Sequence, residues 1–69
     1  MRLSARNQIR GTVKDVKKGA TTSHVTVDIG AGNIVTASIT NESVDELGVK
    51  TGGKVTAVIK ASDVMIGVD

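Results

Sequence analysis

The chain has 69 residues, no cysteine, no aromatic residue and a formal net charge of +2. That length allows one small domain with a limited core. Without Cys there are no disulfides and no thiolate metal sites, and the one His, His24, cannot build a His-based cation site within one chain.

Val, Ile and Thr fill 25 positions against two Leu. That bias belongs to strands, where branched side chains pack on a pleated surface. Residues 1–7 are polar and basic, and read as an arm or the lead-in to a strand. Residues 8–18 alternate, with Ile9, Gly11 and Val13 on one face and Arg10, Thr12 and Lys14 on the other. The alternation breaks at Asp15-Val16, which predicts a bulge or sharp bend. Lys17 to Thr22 is a polar turn.

Residues 23–29 form a second strand with Val25, Val27 and Ile29 inward and His24, Thr26 and Asp28 outward. Gly30-Ala31-Gly32-Asn33 is a hairpin connection. Residues 34–39 form a third strand, apolar in part on both faces, which suits a central position or a subunit contact. Residues 38–48 hold the one stretch that reads as helix. Thr40, Asn41 and Ser43 are good N-cap residues, Ser43 with Glu46 fits a capping box, and Gly48 fits the left-handed stop. Residues 49–53 turn, residues 54–60 make a fourth strand, residues 61–63 break it, and residues 64–68 align Val64, Ile66 and Val68 as a fifth strand. Five short strands with one helix between the third and fourth predict an all-β, OB-like closed barrel, one domain over residues 1–69.

No stretch is apolar enough to span a membrane, and the N-terminus lacks the apolar run of a signal peptide, so the expected location is the cytoplasm. Catalysis is hard to build. There is no Cys nucleophile, His24 lies on a polar strand face, and the seven carboxylates are scattered. Gly30-Ala31-Gly32 joins strand to strand, the wrong context for a phosphate loop. An OB-like RNA-binding module is the second reading, through Arg2, Arg6, Arg10, Lys14, Lys17 and Lys18. It lacks the aromatic side chains on which bases stack. A purely structural oligomer is a third.

A small oxyanion asks for donors from several directions, one or two cations, and no nearby acids. Three stretches offer them. Ser4-Ala5-Arg6-Asn7 has a hydroxyl, a guanidinium and an amide. Thr40 to Ser43 has hydroxyls and the N–H groups of a helix start. Lys60-Ala61-Ser62 has an ammonium, a hydroxyl and backbone N–H groups. Taken singly, each is equally an exposed arm, a helix cap and a strand end.

Together they carry a resemblance. Ser4-Ala5-Arg6-Asn7-Gln8, the run Ile39-Thr40-Asn41-Glu42-Ser43, and Lys60-Ala61-Ser62-Asp63-Val64-Met65-Ile66-Gly67 occur in the order found in the molbindin (Mop) family, and the likeness spans nearly the whole chain. The resemblance implies an OB-like cytoplasmic protein that binds molybdate or tungstate and is not an enzyme. It implies a homo-hexamer, a trimer of dimers, with oxyanions held between subunits and used for intracellular storage and homeostasis. By motif, Arg6 is the cationic contact, Thr40 and Ser43 are hydroxyl and amide donors, and Lys60 with Ala61 and Ser62 forms a third wall. Ser4 and Asn7 belong to the same motif. Molybdenum enters as an oxyanion, so neither a metal cation nor a cofactor is expected, and no membrane or nucleic-acid partner. The chemistry suits the donor set: molybdate is a dianion whose oxygens only accept, and charge-assisted hydrogen bonds are the strong ones.

Overall fold

The computed structural model describes residues 1–69. The elements are β1 (Asn7–Lys18), β2 (Thr22–Gly30), β3 (Asn33–Thr40), α1 (Asn41–Leu47) and β4 (Lys54–Ile59), followed by a 3-10 turn at Ala61–Asp63. Each strand starts and stops within one residue of its expected bounds. The four strands form one antiparallel sheet in the order β3-β2-β1-β4. The fold is all-β and OB-like, a curled sheet with its single helix between β3 and β4.

The alternation seen in the sequence sets the inner face. Val13 pairs with Val27 and Val16 with Val25 across β1 and β2. Val44, the buried residue of α1, closes over Val13, Val25 and Val27, and Val16, Ile29, Ile39, Val49 and Val55 pack around them. Only six of 69 residues are buried, so this core stabilises the chain weakly on its own. Gly11 permits the closest approach in the sheet. A Cβ there would lie 2.6 Å from Val27 Cγ1 and 2.7 Å from the Asp28 carbonyl oxygen.

The expected bulge sits one residue earlier than the sequence suggested. Val13 pairs with Val27 and Asp15 with Thr26, which leaves Lys14 as the extra residue. The turn after α1 docks beside it: Gly52 donates to the Val13 carbonyl at 2.8 Å, and Val13 donates to the Gly53 carbonyl at 2.9 Å. The β2–β3 hairpin is a two-residue connection, since Gly30 pairs with Asn33. Its central residues, Ala31 and Gly32, have φ of 52° and 78°. Left-handed backbone therefore falls on an alanine, not on Asn33.

Three expectations are corrected. First, α1 is not capped by a Ser43–Glu46 box. Thr40 is the N-cap, in extended backbone, and its Oγ1 accepts the Ser43 N–H at 3.0 Å. A cap accepts from a residue two or three positions on, so Thr40 can serve the N–H of Ser43, whereas Ser43 already lies inside the helix. The expected stop at Gly48 is observed, at φ 65°. Gly48 donates to Asp45 and Val49 to Val44, the paired bonds of a Schellman ending.

Second, residues 64–68 are not a strand. Val64 leaves the 3-10 turn in extended backbone, at φ −93° and ψ 125°, and no residue from 64 to 68 joins a strand ladder. Val64, Met65, Ile66 and Val68 are 45, 92, 88 and 94% exposed. A strand sequence becomes a strand only when a partner supplies the ladder.

Third, the barrel is not closed by hydrogen bonds. β3 and β4 are both edge strands, so β3 is not central. They face each other across an apolar cleft of about 480 Å³, lined by Val35, Ala37, Ile39, Val55 and Ile59 among others. No helix is long and apolar enough to cross a membrane.

Candidate functional site

The pairing of β1 with β4 brings the first and third donor stretches together. Asn7 pairs with Ile59, and its Nδ2 also donates to the Ile59 carbonyl at 3.1 Å. Ala5 is buried beneath this junction while Ser4 and Arg6 on either side of it are exposed. One residue past Ile59 stands Lys60, extended at φ −65° and ψ 141°, at the entrance to the 3-10 turn. Asp63 donates to the Lys60 carbonyl at 2.9 Å, which closes the turn. The N–H groups of Ala61 and Ser62 sit in its first positions, where a helical turn offers them no partner. Ser4, Arg6, Lys60, Ala61 and Ser62 therefore share one end of the sheet. Asn7 is the staple between the two segments, with one amide proton already committed.

The charges at this end are free. The chain holds one ion pair, Lys18 with Asp45 at 3.3 Å, so neither Arg6 nor Lys60 is neutralised within the chain. Asp63 is the nearest acid in sequence and is exposed to water.

Thr40 and Ser43 stand elsewhere. Lys18 at the end of β1 pairs with Ser23, and Ser23 pairs with Ile39, so Thr40 lies by the last residue of β1. Asn7 is the first residue of that strand. The two walls are separated along the chain path by the 12 residues of β1, about 35–40 Å of strand at about 3.3 Å per residue. Here the hydroxyls satisfy each other. Thr40 Oγ1 donates to Ser43 Oγ at 2.8 Å while it accepts the Ser43 N–H. The Ser43 hydroxyl proton is left over as the outward donor.

Asn41 holds this second wall, a role beyond the capping expected of it. Its backbone N–H donates to the Thr21 carbonyl at 2.9 Å, and its Nδ2 donates to Gly19 at 3.1 Å and Ala20 at 3.4 Å. Its Oδ1 accepts from Ser23 Oγ, the hydroxyl of a fully buried residue. An amide offers donors and an acceptor at once, which is why it can tie a helix start to a hairpin. The sequence signal was the lone amide of the Thr40–Ser43 run, which follows a Gly-containing turn by one hairpin. Residues 61–63 were read as a break with free backbone N–H groups, and the 3-10 turn there was not foreseen.

With this geometry in place, comparison with known proteins identifies the fold. The sequence profile of the TOBE domain matches residues 3–66. The chain is similar to the molybdenum-pterin-binding protein 1 of Clostridium pasteurianum, 53% identical over 66 residues, covering 96% of this chain and 97% of that one. It superposes on MopII from Clostridium pasteurianum with a TM-score of 0.89 at 49% identity, covering 97% of this chain and all of that one. It also superposes on the cytoplasmic molybdate-binding protein ModG, solved with molybdate bound, with a TM-score of 0.94 at 48% identity; there it covers all of this chain and 49% of the other. Likeness at this identity over the full length of both chains, in sequence and in backbone, shows common descent: the chain belongs to the TOBE domain family, in its molbindin (Mop) branch.

Proposed function

We propose that this protein is a non-enzymatic molybdate- and tungstate-binding store of the cytoplasm, a homo-hexamer whose oxyanion sites lie between subunits. The observation that carries the reading is the separation of the donor walls along β1. A tetrahedral dianion is held well only when donors surround it. One end of the sheet offers Arg6, Lys60 and the N–H groups of Ala61 and Ser62, with Ser4 beside them. The other offers Thr40 and Ser43. A second copy that brings its Thr40 end to the first copy's Arg6 end completes the shell. Relatives named for molybdate and molybdenum-pterin binding support the choice of anion.

The exposed apolar surface supports assembly. Val64, Ile66 and Val68 alternate along an exposed tail outside the sheet, and both sheet edges are open beside an apolar cleft. Edge strands and apolar tails of this kind invite pairing with another chain. An anion that binds only the assembled form stabilises it by mass action, so storage and assembly reinforce each other.

Calorimetry on the assembled protein with molybdate, tungstate and sulfate tests the reading. Molybdate and tungstate are expected to bind with similar affinity and sulfate more weakly. Absence of heat with molybdate overturns it, and RNA retention that molybdate does not disturb would favour the nucleic-acid alternative.

A further inference from the structure

The largest cavity of the chain lies on the β1–β4 pair, its first rung, Arg10 with Thr56, three ladder positions from the Asn7–Ile59 rung of the first wall. It has a volume of about 760 Å³ and is lined by Met1, Arg10, Gly11, Thr12, Lys54, Val55 and Thr56. The register builds it. Arg10 pairs with Thr56 and Thr12 with Lys54, so two cations and two hydroxyls alternate on one face as a square. Direct cross-strand neighbours have Cβ atoms about 5 Å apart and diagonal ones about 7–8 Å. The two cations occupy a diagonal, a spacing that two long side chains can close around one tetrahedral group.

The protons point the right way. Lys54 Nζ donates to Thr12 Oγ1 at 2.9 Å, which uses a lone pair of that hydroxyl and leaves its own proton free. No carboxylate lines the cavity, and neither Arg10 nor Lys54 has an ion-pair partner. Asp28, the β2 partner of Thr12, does not line the cavity, and its Oδ1 accepts the Gly30 N–H of its own hairpin at 2.8 Å. Every polar side chain in the cleft can therefore donate. No aromatic side chain is present to stack a base. The cavity is larger than a bare tetrahedral ion needs, and it opens outward, so an organic substituent has room to leave it.

We propose that this cleft is a second anion site, independent of the oxyanion walls, that takes the phosphoryl group of a phosphate monoester. Arg10 grips two oxygens with its planar fork, Lys54 supplies a point charge, and Thr12 and Thr56 complete the shell.

The test is an NMR titration of the assembled wild-type protein, saturated with molybdate, using glycerol 3-phosphate, with glycerol and inorganic phosphate in parallel. Saturable shifts at the Gly11, Thr12, Val55 and Thr56 amides are expected with both phosphates, tighter for the ester, and none with glycerol. Arg10→Gln and Lys54→Gln, both at exposed positions, are each expected to weaken the ester about tenfold and to leave molybdate binding unchanged. Absence of saturable shifts overturns the proposal. So do shifts that survive in the Arg10→Gln/Lys54→Gln double variant, or shifts that molybdate competes away, which would place the ester at the Arg6–Lys60 end. If molybdate itself does not bind, the same titration without it still reads the cleft.

Discussion

Ser23 and Asn41 lie 18 residues apart and meet through one hydrogen bond, the Ser23 hydroxyl donating to Asn41 Oδ1. Ser23 has no exposed surface, while Asn41 is half-buried. The two ends of this bond should therefore respond differently to removal. Asn41→Ala strands a buried hydroxyl and drops the bonds to Gly19 and Ala20, and is expected to cost about 2–3 kcal/mol. Ser23→Ala leaves an amide oxygen that water can reach, and is expected to cost about 1 kcal/mol. Urea denaturation of both variants checks the order, and an equal loss would contradict it.

Gly11 is the tightest point of the sheet. Its missing Cβ would press on Val27 Cγ1, at the end of a stiff side chain, and on the Asp28 carbonyl oxygen, which is backbone. Gly11→Ala is expected to destabilise by about 1–3 kcal/mol through overpacking, seen as a lower denaturation midpoint.

Ala31 carries the opposite prospect. At φ 52° it holds left-handed backbone in the first central position of a two-residue hairpin, a place that favours Asn or Gly. Ala31→Asn is expected to stabilise by about 0.5–1 kcal/mol, measured as a rise in thermal midpoint.

Arg6 and Lys60 test the oxyanion site. Both are exposed and without ion-pair partners, so Arg6→Ala and Lys60→Ala should alter stability by no more than about 0.5 kcal/mol. Each is expected to weaken molybdate by roughly tenfold to a hundredfold in calorimetry. A variant that binds as wild type while still assembled would remove that residue from the site.

The tail tests assembly. Ile66 is 88% exposed, so Ile66→Asp costs an isolated chain little. If the tail seats on a neighbouring copy, the buried charge is intolerable there. Sedimentation velocity is expected to show smaller species for Ile66→Asp and for a chain ended after Asp63. Unchanged sedimentation would mean that the tail takes no part.

Most of the local structure was legible in the sequence because its causes are local. Alternation of Val and Ile with polar residues places the four strands to within a residue, and Gly48 stops the helix where its positive φ is needed. The Lys14 bulge was visible as a break in that alternation, misplaced by one residue because either neighbour can absorb the extra position. The capping residue of α1 was left open because Thr40, Asn41 and Ser43 are chemically alike as caps, and only the backbone of the incoming strand decides for Thr40 and against a Ser43–Glu46 box. Residues 64–68 have a strand's composition, yet composition cannot supply a pairing partner.

The candidate site divides the same way. Residue type alone determined that donors are concentrated in three stretches and that catalysis and base stacking lack their side chains. Tertiary structure decided where the stretches stand. Antiparallel pairing of β1 with β4 places Arg6 beside Lys60, and the β1–β2–β3 register carries Thr40 to the other end of the sheet. Donor chemistry is a property of single residues and can be read one at a time. Whether donors converge depends on strand order and register, which arise from contacts between residues distant in the chain.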